Sequence, residues 1–564
     1  MQNIKNILAW LDKNLLTLLT GILIVVIPLY PKLPLMDLID GYIVRARLED
    51  ILILFTGGVW FVQLLRKKIQ LPQNYLTKFL YAYIVIGFLS SLSAIFITHT
   101  VPMEQTHLFK LALHFLRRIE YFSLFFITYA SIRSRKDLYL LVKIAFATLV
   151  VVVLYAMGQK YLYWPAFSTM NREFSKGLRL YLTPSSRVMS TFGGHYDFAA
   201  YLMMLLSLTI TGFWITKSRL LKLALITITI PAYWALILTA SRTSFLGYLA
   251  GLTIAAIILA RLKGKWTMFA NWFVMVTLSM TVMLTMGDLS ERFFQVLEQP
   301  DVLVHEITQV TPIQRDTLSK MVANSQDKLL KVKTTLQDFK DKMSSFKFSF
   351  SKPPRNSIST DELAKVVVSS DTLPVVVKPD LPPDVTQAED DLRTSLESVT
   401  ATVAATSNGG YSPNALKYGL SVAIRLDALW PRAIAGFKRN PLLGTGYSTL
   451  TKAYVDEFTY AESSDNDYLR MLGETGLLGT LSFFAIIATI IYVSWRIYQL
   501  ADNSFDQTLA VGTIGATIAL LVNATYIDIF ESSKVAYTLW ILVALVMKLY
   551  DLQYRSIDHV KKNK

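Results

Sequence analysis

Two adjoining segments decide the fold of this chain: IRLDALWPRAIAGFKRNPLLGTGYSTL at residues 424–450 and SSDNDYLRMLGETGLLGTLSFF at residues 463–484. They carry charged side chains up to the start of a long apolar run that begins near Gly476. Polar chemistry and a membrane-spanning helix are therefore predicted to meet here. On either side, most of the sequence consists of apolar runs long enough to cross a bilayer.

The whole chain has the composition of a membrane protein. Of its 564 residues, 53% are hydrophobic, and the apolar runs reach about 20 residues, the length that crosses a bilayer. There is no cysteine, which excludes disulfides and thiol catalysis. The formal net charge of +15 is typical of Lys and Arg retained on the cytoplasmic side of many spans, and this interpretation is favoured over nucleic-acid binding.

The apolar runs predict an all-α polytopic membrane protein with about twelve transmembrane helices. Their predicted centres lie near residues 22, 57, 88, 122, 147, 206, 230, 252, 276, 487, 517 and 542. With the N-terminus inside, each inner connection carries Lys or Arg, as in Arg66–Lys68 and Arg133–Lys136. The positive-inside rule therefore predicts that both termini are cytoplasmic. The first run has no small-residue cleavage site before Pro31 and is predicted to be a retained span.

These spans divide the chain into three predicted parts. Residues 1–286 contain spans one to nine, and residues 287–475 form one large extracytoplasmic loop. Residues 476–564 contain spans ten to twelve and a cytoplasmic tail. The loop is the only part large enough to form a soluble subdomain.

The loop contains an insert at about residues 302–408. Apolar residues recur at helical spacing over residues 317–346, which predicts an amphipathic helix on the membrane or on its neighbours. Residues 349–383 collect Pro, Ser, Val and Lys without a period and are predicted to be an extended linker. Residues 385–405 are predicted to form a second helical piece.

Several arginines are assigned to the outer face by this topology. Arg242 emerges at the outer end of span seven, and it would commonly be interpreted as a snorkelling side chain that anchors a helix end. A ligand-binding role is favoured here, because Arg187 and Arg425 are assigned to the same face as Arg242. Arg432 lies in the same segment as Arg425. Guanidinium groups bind phosphate oxygens in a two-point geometry. We therefore expect Arg187, Arg242 and Arg425 to converge on a lipid-linked phosphate or diphosphate.

The predicted outer face also carries acids and one histidine. Asp465 and Asp467 could bind a divalent cation, but two carboxylates alone make a poor metal site. His195 precedes span six in GGHYDFAAYL, and a lone histidine is more commonly structural than catalytic. In GTGYSTL, Gly444 and Gly446 could cradle a phosphate, although a tight turn is the favoured interpretation because no strand precedes them.

Span four contains charges at membrane depth. Arg117 and Glu120 lie within HFLRRIEYFSLFF, with Glu49 and Asp50 at the start of span two as plausible partners. Charges inside a span suggest function by default. Because these groups are predicted to lie below the outer surface, a structural network of ion pairs is favoured.

Taken together, these segments resemble the bacterial O-antigen ligase and O-antigen polymerase family of integral membrane glycosyltransferases. The similar pieces are RVMSTFGGHYDFAAYL at 187–202, TASRTSFLG at 239–247, residues 424–450, and DNDYLRMLGETGLLG at 465–479. In the family, the last piece typically begins with His. Here Asn466, Gly476 and Gly479 keep the family spacing, while Asp465 stands at the position of that His.

The resemblance implies a glycan donor linked to undecaprenyl diphosphate, transfer with inversion to an extracytoplasmic glycan, lipid or protein acceptor, and no nucleotide sugar or metal cofactor. It also implies a bacterial cytoplasmic membrane location. The implied catalytic residues are Asp465 as the base with Arg242 and Arg425 on the diphosphate. The implied substrate-binding residues are Arg187, His195, Asn466, Asp467 and Arg432.

Four alternatives stay open at this point. His195 could supply the base, since an imidazole titrates near neutrality. The chain could have kept the fold and lost the activity. It could instead be a polytopic transporter of a solute or a lipid-linked substrate, or a sensory or scaffolding protein, although no inverted repeats or paired broken spans favour transport.

Overall fold

The computed structural model describes residues 2–39, 45–170, 174–182, 186–286, 424–450 and 463–555, together with residues 422 and 558. The predicted amphipathic helix at 317–346, the linker at 349–383 and the helical piece at 385–405 lie outside the described residues.

The described chain is almost entirely helical. The helices before the insert are α1 Gln2–Leu29, α2 Leu48–Leu65, α3 Tyr75–Phe96, α4 Gln105–Ser131, α5 Arg135–Tyr161, α6 His195–Ile215, α7 Arg219–Leu238, α8 Arg242–Lys263 and α9 Lys265–Met286. The helices after it are α10 Trp430–Arg439, α11 Asp467–Leu500, α12 Ser504–Asn523 and α13 Ser533–Leu549. Between α1 and α2, strands β1 Pro34–Asp37 and β2 Arg45–Arg47 pair antiparallel. A π-helical turn at Arg425–Leu429 leads into α10.

Eleven of the described helices are long and apolar enough to cross a membrane. The all-α polytopic class is therefore confirmed. The eleven include every predicted span except the fourth, which corresponds to α4. Charged residues in the first half of α4 lower its hydropathy. The helix nevertheless runs alongside α13, because Arg118 contacts Glu531 before α13 and Tyr129 Oη donates to Asp551 after α13 at 2.6 Å. The count of twelve spans stays a prediction.

Helix α6 forms the centre of the bundle. Within its apolar stretch, 94% of the residues are buried, and it packs against α7, α8 and α12. Small residues let α8 and α12 approach closely beside it: a Cβ added at Gly251 would lie 2.5 Å from Gly515 O, and one at Gly247 would lie 2.6 Å from Ala519 O. Close backbone approach of this kind is how helices associate in lipid, where burial of apolar surface supplies little driving force.

The connections between helices cluster at two ends of the bundle, as the predicted alternation of spans requires. At the end predicted to be inside, Asp12 pairs with Arg66, Arg135 with Asp506, and Arg496 with Asp558. At the other end, Lys32 pairs with Glu49, Arg118 with Glu531, and Arg425 with Asp465. Which end faces the cytoplasm stays a prediction.

Helix α11 is broken at Gly476, which has φ 66° and ψ −163°. Residues 467–475 form a short helix, and the long apolar helix starts after the break. The freed amides find partners in the preceding segment: Leu477 N donates to Pro441 O at 2.8 Å and Leu478 N to Leu442 O at 3.2 Å. The segment from 440 to 446 therefore docks into the break in α11.

The GTG sequence makes a tight turn against the same short helix, as favoured from the sequence. Gly444 and Gly446 have φ of 70° and 91°, values that favour glycine. Their amides already have partners, because Gly444 N donates to Asn440 O at 2.7 Å and Gly446 N donates to Glu474 O at 2.9 Å. The turn therefore fixes the loop to α11 and does not aim these two amides at a ligand.

Candidate functional site

The candidate site centres on the contact between the side chains of Arg425 and Asp465. Arg425 lies on the π-helical turn before α10, and its Nη2 is 2.8 Å from Asp465 Oδ2. Its guanidinium carbon lies 4.0 Å from the ring centroid of Tyr526, a distance at which the cation is attracted to the ring face. The Arg425 side chain is 10% exposed, whereas that of Asp465 is 31% exposed. The carboxylate is therefore the more accessible member of the pair.

Asp465 sits in a constrained loop directly before α11. Its φ of 50° is uncommon for a residue other than glycine, and such strain is concentrated at functional sites. Ser463 Oγ lies 2.6 Å from Asp465 Oδ1. Burial raises the pKa of Asp465 above its ordinary value; Arg425 opposes this shift and the nearby Asp528 adds to it. A raised pKa makes this carboxyl a better base than an ordinary aspartate.

Asp528 holds this loop in place from the connection between α12 and α13. Its carboxylate accepts hydrogen bonds from Ser464 N at 2.9 Å, Asn466 N at 2.7 Å and Arg470 Nη1 at 2.9 Å. Backbone amides and a guanidinium are strong partners for an ionised carboxylate. Asp528 therefore fixes the backbone on both sides of Asp465.

Asn466 and Asp467 make structural hydrogen bonds with the protein. Asn466 caps α11, since its Oδ1 accepts from Leu469 N at 3.0 Å, and its Nδ2 donates to Thr525 O at 2.9 Å. Asp467 is buried, and its Oδ2 accepts from Phe530 N at 3.1 Å. Both side chains join α11 to the α12–α13 connection, so the contacts favour positioning over the predicted substrate binding.

A chain of charges leads from Asp528 to α4. Arg470 bridges Asp528 and Glu474, whose Oε2 lies 3.3 Å from Arg470 Nε. Glu474 Oε1 accepts from Ser448 N at 2.8 Å, and its Oε2 lies 3.7 Å from Arg118 Nη2. This network joins the loop after α10, the short helix of α11 and α4 into one support for Asp465.

His195 and Arg187 form a second polar pair at this end. His195 is fully buried as the first residue of α6, and its Nε2 lies 3.0 Å from Arg187 Nη1. A guanidinium has only donors, so Nε2 must be the acceptor in this contact, which leaves the ring neutral with its proton on Nδ1. The Nε2 lone pair is thereby occupied, which favours a structural role for His195.

The remaining predicted arginines lie at the same end. Arg242 is the half-buried first residue of α8, and two residues later Ser244 Oγ accepts from Asn523 Nδ2 at 3.2 Å. Asn523 ends α12 and leads to Tyr526, on which Arg425 stacks. Arg432 is half-buried on α10. These contacts link the start of α8 to the neighbourhood of Asp465; the convergence of three guanidinium groups on one ligand stays a prediction.

The charges in α4 form the ion-pair network favoured from the sequence. Arg117 Nη1 lies 2.8 Å from Asp50 Oδ1 and 2.7 Å from Glu120 Oε2, and Tyr537 Oη donates to Glu120 at 2.7 Å. Glu49 differs from the expectation, because it pairs with Lys32 at 3.0 Å. Lys32 follows the end of α1, close enough to reach the first turn of α2.

The sequence interpretation missed the importance of the connection between α12 and α13, residues 524–532. This short segment supplies Tyr526, Asp528 and Glu531 to the site, and the next two residues bind the end of α1. Ser533 pairs with Lys32, and Lys534 Nζ donates to Tyr30 O at 2.7 Å. A signal was present, since DIFESSK places two acids in a connection only a few residues long and a lysine directly after it.

A scan of the chain against protein-family models found no matching family, and a search of curated proteins found no match. The resemblance to O-antigen ligases and polymerases therefore rests on the sequence segments quoted above.

Proposed function

We propose that this protein is a membrane glycosyltransferase that moves glycan from a lipid diphosphate-linked donor onto an acceptor outside the cytoplasm. The observation that carries the proposal is the Arg425–Asp465 pair, in which an accessible carboxyl with a raised pKa lies beside a stacked arginine. The pair lies at one end of a bundle of membrane-length helices, where a lipid-linked substrate would arrive.

In the proposed reaction, Asp465 takes the proton of the acceptor hydroxyl as its oxygen attacks the anomeric carbon. The bond from that carbon to the diphosphate breaks, and the electron pair stays on the diphosphate. Arg425 and Arg242 would stabilise the negative charge that develops there. Because the donor already carries a good leaving group, the reaction requires neither a nucleotide sugar nor a further energy source.

The proposed topology places this site outside. Twelve spans with cytoplasmic termini put residues 287–475 on the outer side, in accord with the lysines and arginines of the opposite connections. The segregation of contacts between two ends of the bundle supports the alternation of directions that this topology needs. Helix α4 is then the fourth span, and its charges are compensated by Asp50, Glu120 and Glu531.

The test is reconstitution of the purified protein in liposomes with an undecaprenyl diphosphate-linked oligosaccharide and a panel of lipid, glycan and peptide acceptors. We expect a glycosylated product and released undecaprenyl diphosphate, and the acceptor that is used separates ligase from polymerase. Asp465→Asn should lower the rate by about 10² to 10⁴, the usual contribution of a general base. Asp427→Asn is the matched control, because Asp427 is exposed on the turn that carries Arg425.

Other outcomes would decide against the proposal. Movement of the donor across the bilayer without bond formation would support the transporter alternative. Retention of the rate in Asp465→Asn together with its loss in His195→Ala would assign the base to His195.

A further inference from the structure

Ser463 lies between two carboxylates of the candidate site. Its Oγ is 2.6 Å from Asp465 Oδ1 and 3.0 Å from Asp528 Oδ2, and it accepts a hydrogen bond from Asp465 N at 3.0 Å. The two carboxylates come from different elements, the loop before α11 and the connection between α12 and α13. One hydroxyl therefore joins the proposed base to the group that anchors its loop.

The number of protons at this contact is informative. A serine hydroxyl has a single proton to donate. With both Asp465 and Asp528 ionised, that proton serves one carboxylate, and the other faces an oxygen lone pair at hydrogen-bond distance. Both contacts of Ser463 Oγ are hydrogen bonds when one of the two acids is protonated and donates to Ser463 Oγ, while Ser463 donates to the other.

The surroundings decide which acid carries the proton. Asp528 accepts from Ser464 N, Asn466 N and Arg470, with Ser464 Oγ at 3.2 Å as well, so several donors already converge on its carboxylate. Around Asp465, burial and Asp528 disfavour the ionised form, whereas Arg425, the Ser463 hydrogen bond and Arg470 favour it. The pKa of Asp465 is raised on balance. The arrangement thus fits a proton on Asp465 Oδ1 that donates to Ser463 Oγ, while Asp465 Oδ2 still accepts from Arg425 Nη2 and Ser463 donates to Asp528 Oδ2.

We propose that Ser463 relays a proton from Asp465 to Asp528, and that this transfer turns Asp465 into the carboxylate that accepts the proton of the acceptor hydroxyl. In the relay, Asp465 Oδ1–H breaks as Ser463 Oγ–H forms, and the original Ser463 Oγ–H breaks as Asp528 Oδ2–H forms. After Asp465 takes the acceptor proton, the pair holds one extra proton, which leaves to water through the accessible Asp465. The inference rests on the proposed function, and Ser463 and Asp528 act in it as positioning residues.

The first test needs no substrate. Infrared spectra of the full-length protein in liposomes, recorded across a pH series, contain C=O stretching bands of protonated carboxyls, and Asp465→Asn and Asp528→Asn identify the two bands of interest. We expect Ser463→Ala to move the Asp465 band to higher frequency, because the acid loses its hydrogen-bond acceptor, and to shift the pH at which the band disappears.

Ser464→Ala is the matched control. Ser464 is the adjacent serine and also contacts Asp528, but its Oγ bonds to Asp528 Oδ1 and Asn466 O and not to Asp465. The relay predicts that Ser464→Ala moves the Asp465 band less than Ser463→Ala does, because its effect reaches Asp465 only through Asp528. Equal shifts in the two serine variants, or no shift in Ser463→Ala, would overturn the relay.

The second test uses transfer activity. Ser463→Ala should lower the maximal rate roughly tenfold or more and move the pH dependence of the rate, since proton transfer is part of the chemical step. Ser464→Ala should move the pH profile less than Ser463→Ala does. A wild-type protein without transferase activity on any donor would contradict the proposed function alone, because the spectra decide separately whether the two acids share a proton.

Discussion

At the residue scale, Arg425 has two functions that only a guanidinium combines. It holds Asp465 at 2.8 Å and stacks on Tyr526 at 4.0 Å while its side chain stays largely buried. A planar guanidinium keeps the face for stacking and the edge for hydrogen bonds. Lysine has a compact charge with no such plane, so the two contacts cannot both be kept.

We therefore predict that Arg425→Lys lowers the rate of glycan transfer and weakens donor binding, although the positive charge is kept. The measurement is the kcat and KM for the lipid-linked donor in liposomes. Arg66→Lys is the control, because Arg66 is exposed and pairs with Asp12 at the opposite end of the bundle. Unchanged kinetics in Arg425→Lys would remove Arg425 from the donor site.

From the sequence, Arg425 was singled out with the other arginines of the predicted outer face, and Asp465 was singled out because it stands at the position of the family's His. The structure brings these two side chains together, and their roles stay a prediction. The role of Asp528 was not predictable, since its partner Asn466 lies 62 residues earlier in the chain. Hydrogen bonds over such separations depend on how α11, α12 and α13 pack, which residue types do not reveal.

At the element scale, the break in α11 ends the polar short helix and begins the membrane helix. A Cβ added at Gly476 would lie 2.4 Å from the carbonyl of Leu442, and its φ of 66° is rarely adopted by other residues. The sequence indicated that the apolar run of span ten begins near Gly476. It did not predict that residues 440–446 dock into the break. That contact uses the backbone amides of Leu477 and Leu478, which are available only because the helix is interrupted at Gly476.

We predict that Gly476→Ala destabilises the protein by at least about 1 to 3 kcal/mol, the usual cost of a strained backbone conformation. The readout is the Tm of the detergent-solubilised protein. Gly58→Ala is the matched control, because Gly58 lies inside the helix α2 and a Cβ there would meet nothing within 4 Å. A Tm for Gly476→Ala equal to that of Gly58→Ala would contradict the docked arrangement.

At the scale of the whole molecule, the function depends on which end of the bundle faces outward. The short segment after α3 lies at the end that carries the site, because Thr100 Oγ1 donates to Thr445 O at 2.6 Å. Lys217 lies in the connection between α6 and α7, at the opposite end. Hydropathy predicted the all-α polytopic class well, because lipid requires each spanning segment to satisfy its own backbone as a helix; the sidedness predicted from charge stays a prediction.

The orientation can be measured directly, because the chain contains no cysteine and an introduced one is the sole thiol. We predict that Met103→Cys, at a side chain that is 66% exposed, reacts with a membrane-impermeant maleimide added to intact cells. Lys217→Cys should react only after the membrane is opened. The reverse pattern would place Asp465 in the cytoplasm and exclude the proposed extracytoplasmic acceptor.

The connection between α12 and α13 has a consequence for how the protein is made. Arg118 of α4 forms an ion pair with Glu531, and Lys32 donates a hydrogen bond to Ser533. Because these partners are near the end of the chain, the early helices leave the translocon before the ribosome has made them. A chain that stops before residue 524 lacks the closest partner of Arg118, which keeps only Glu474 at 3.7 Å, and it leaves Lys32 with Glu49 alone. Weakly compensated charges are costly in lipid. Completion of the site and compensation of charges in the early helices therefore depend on the same late segment.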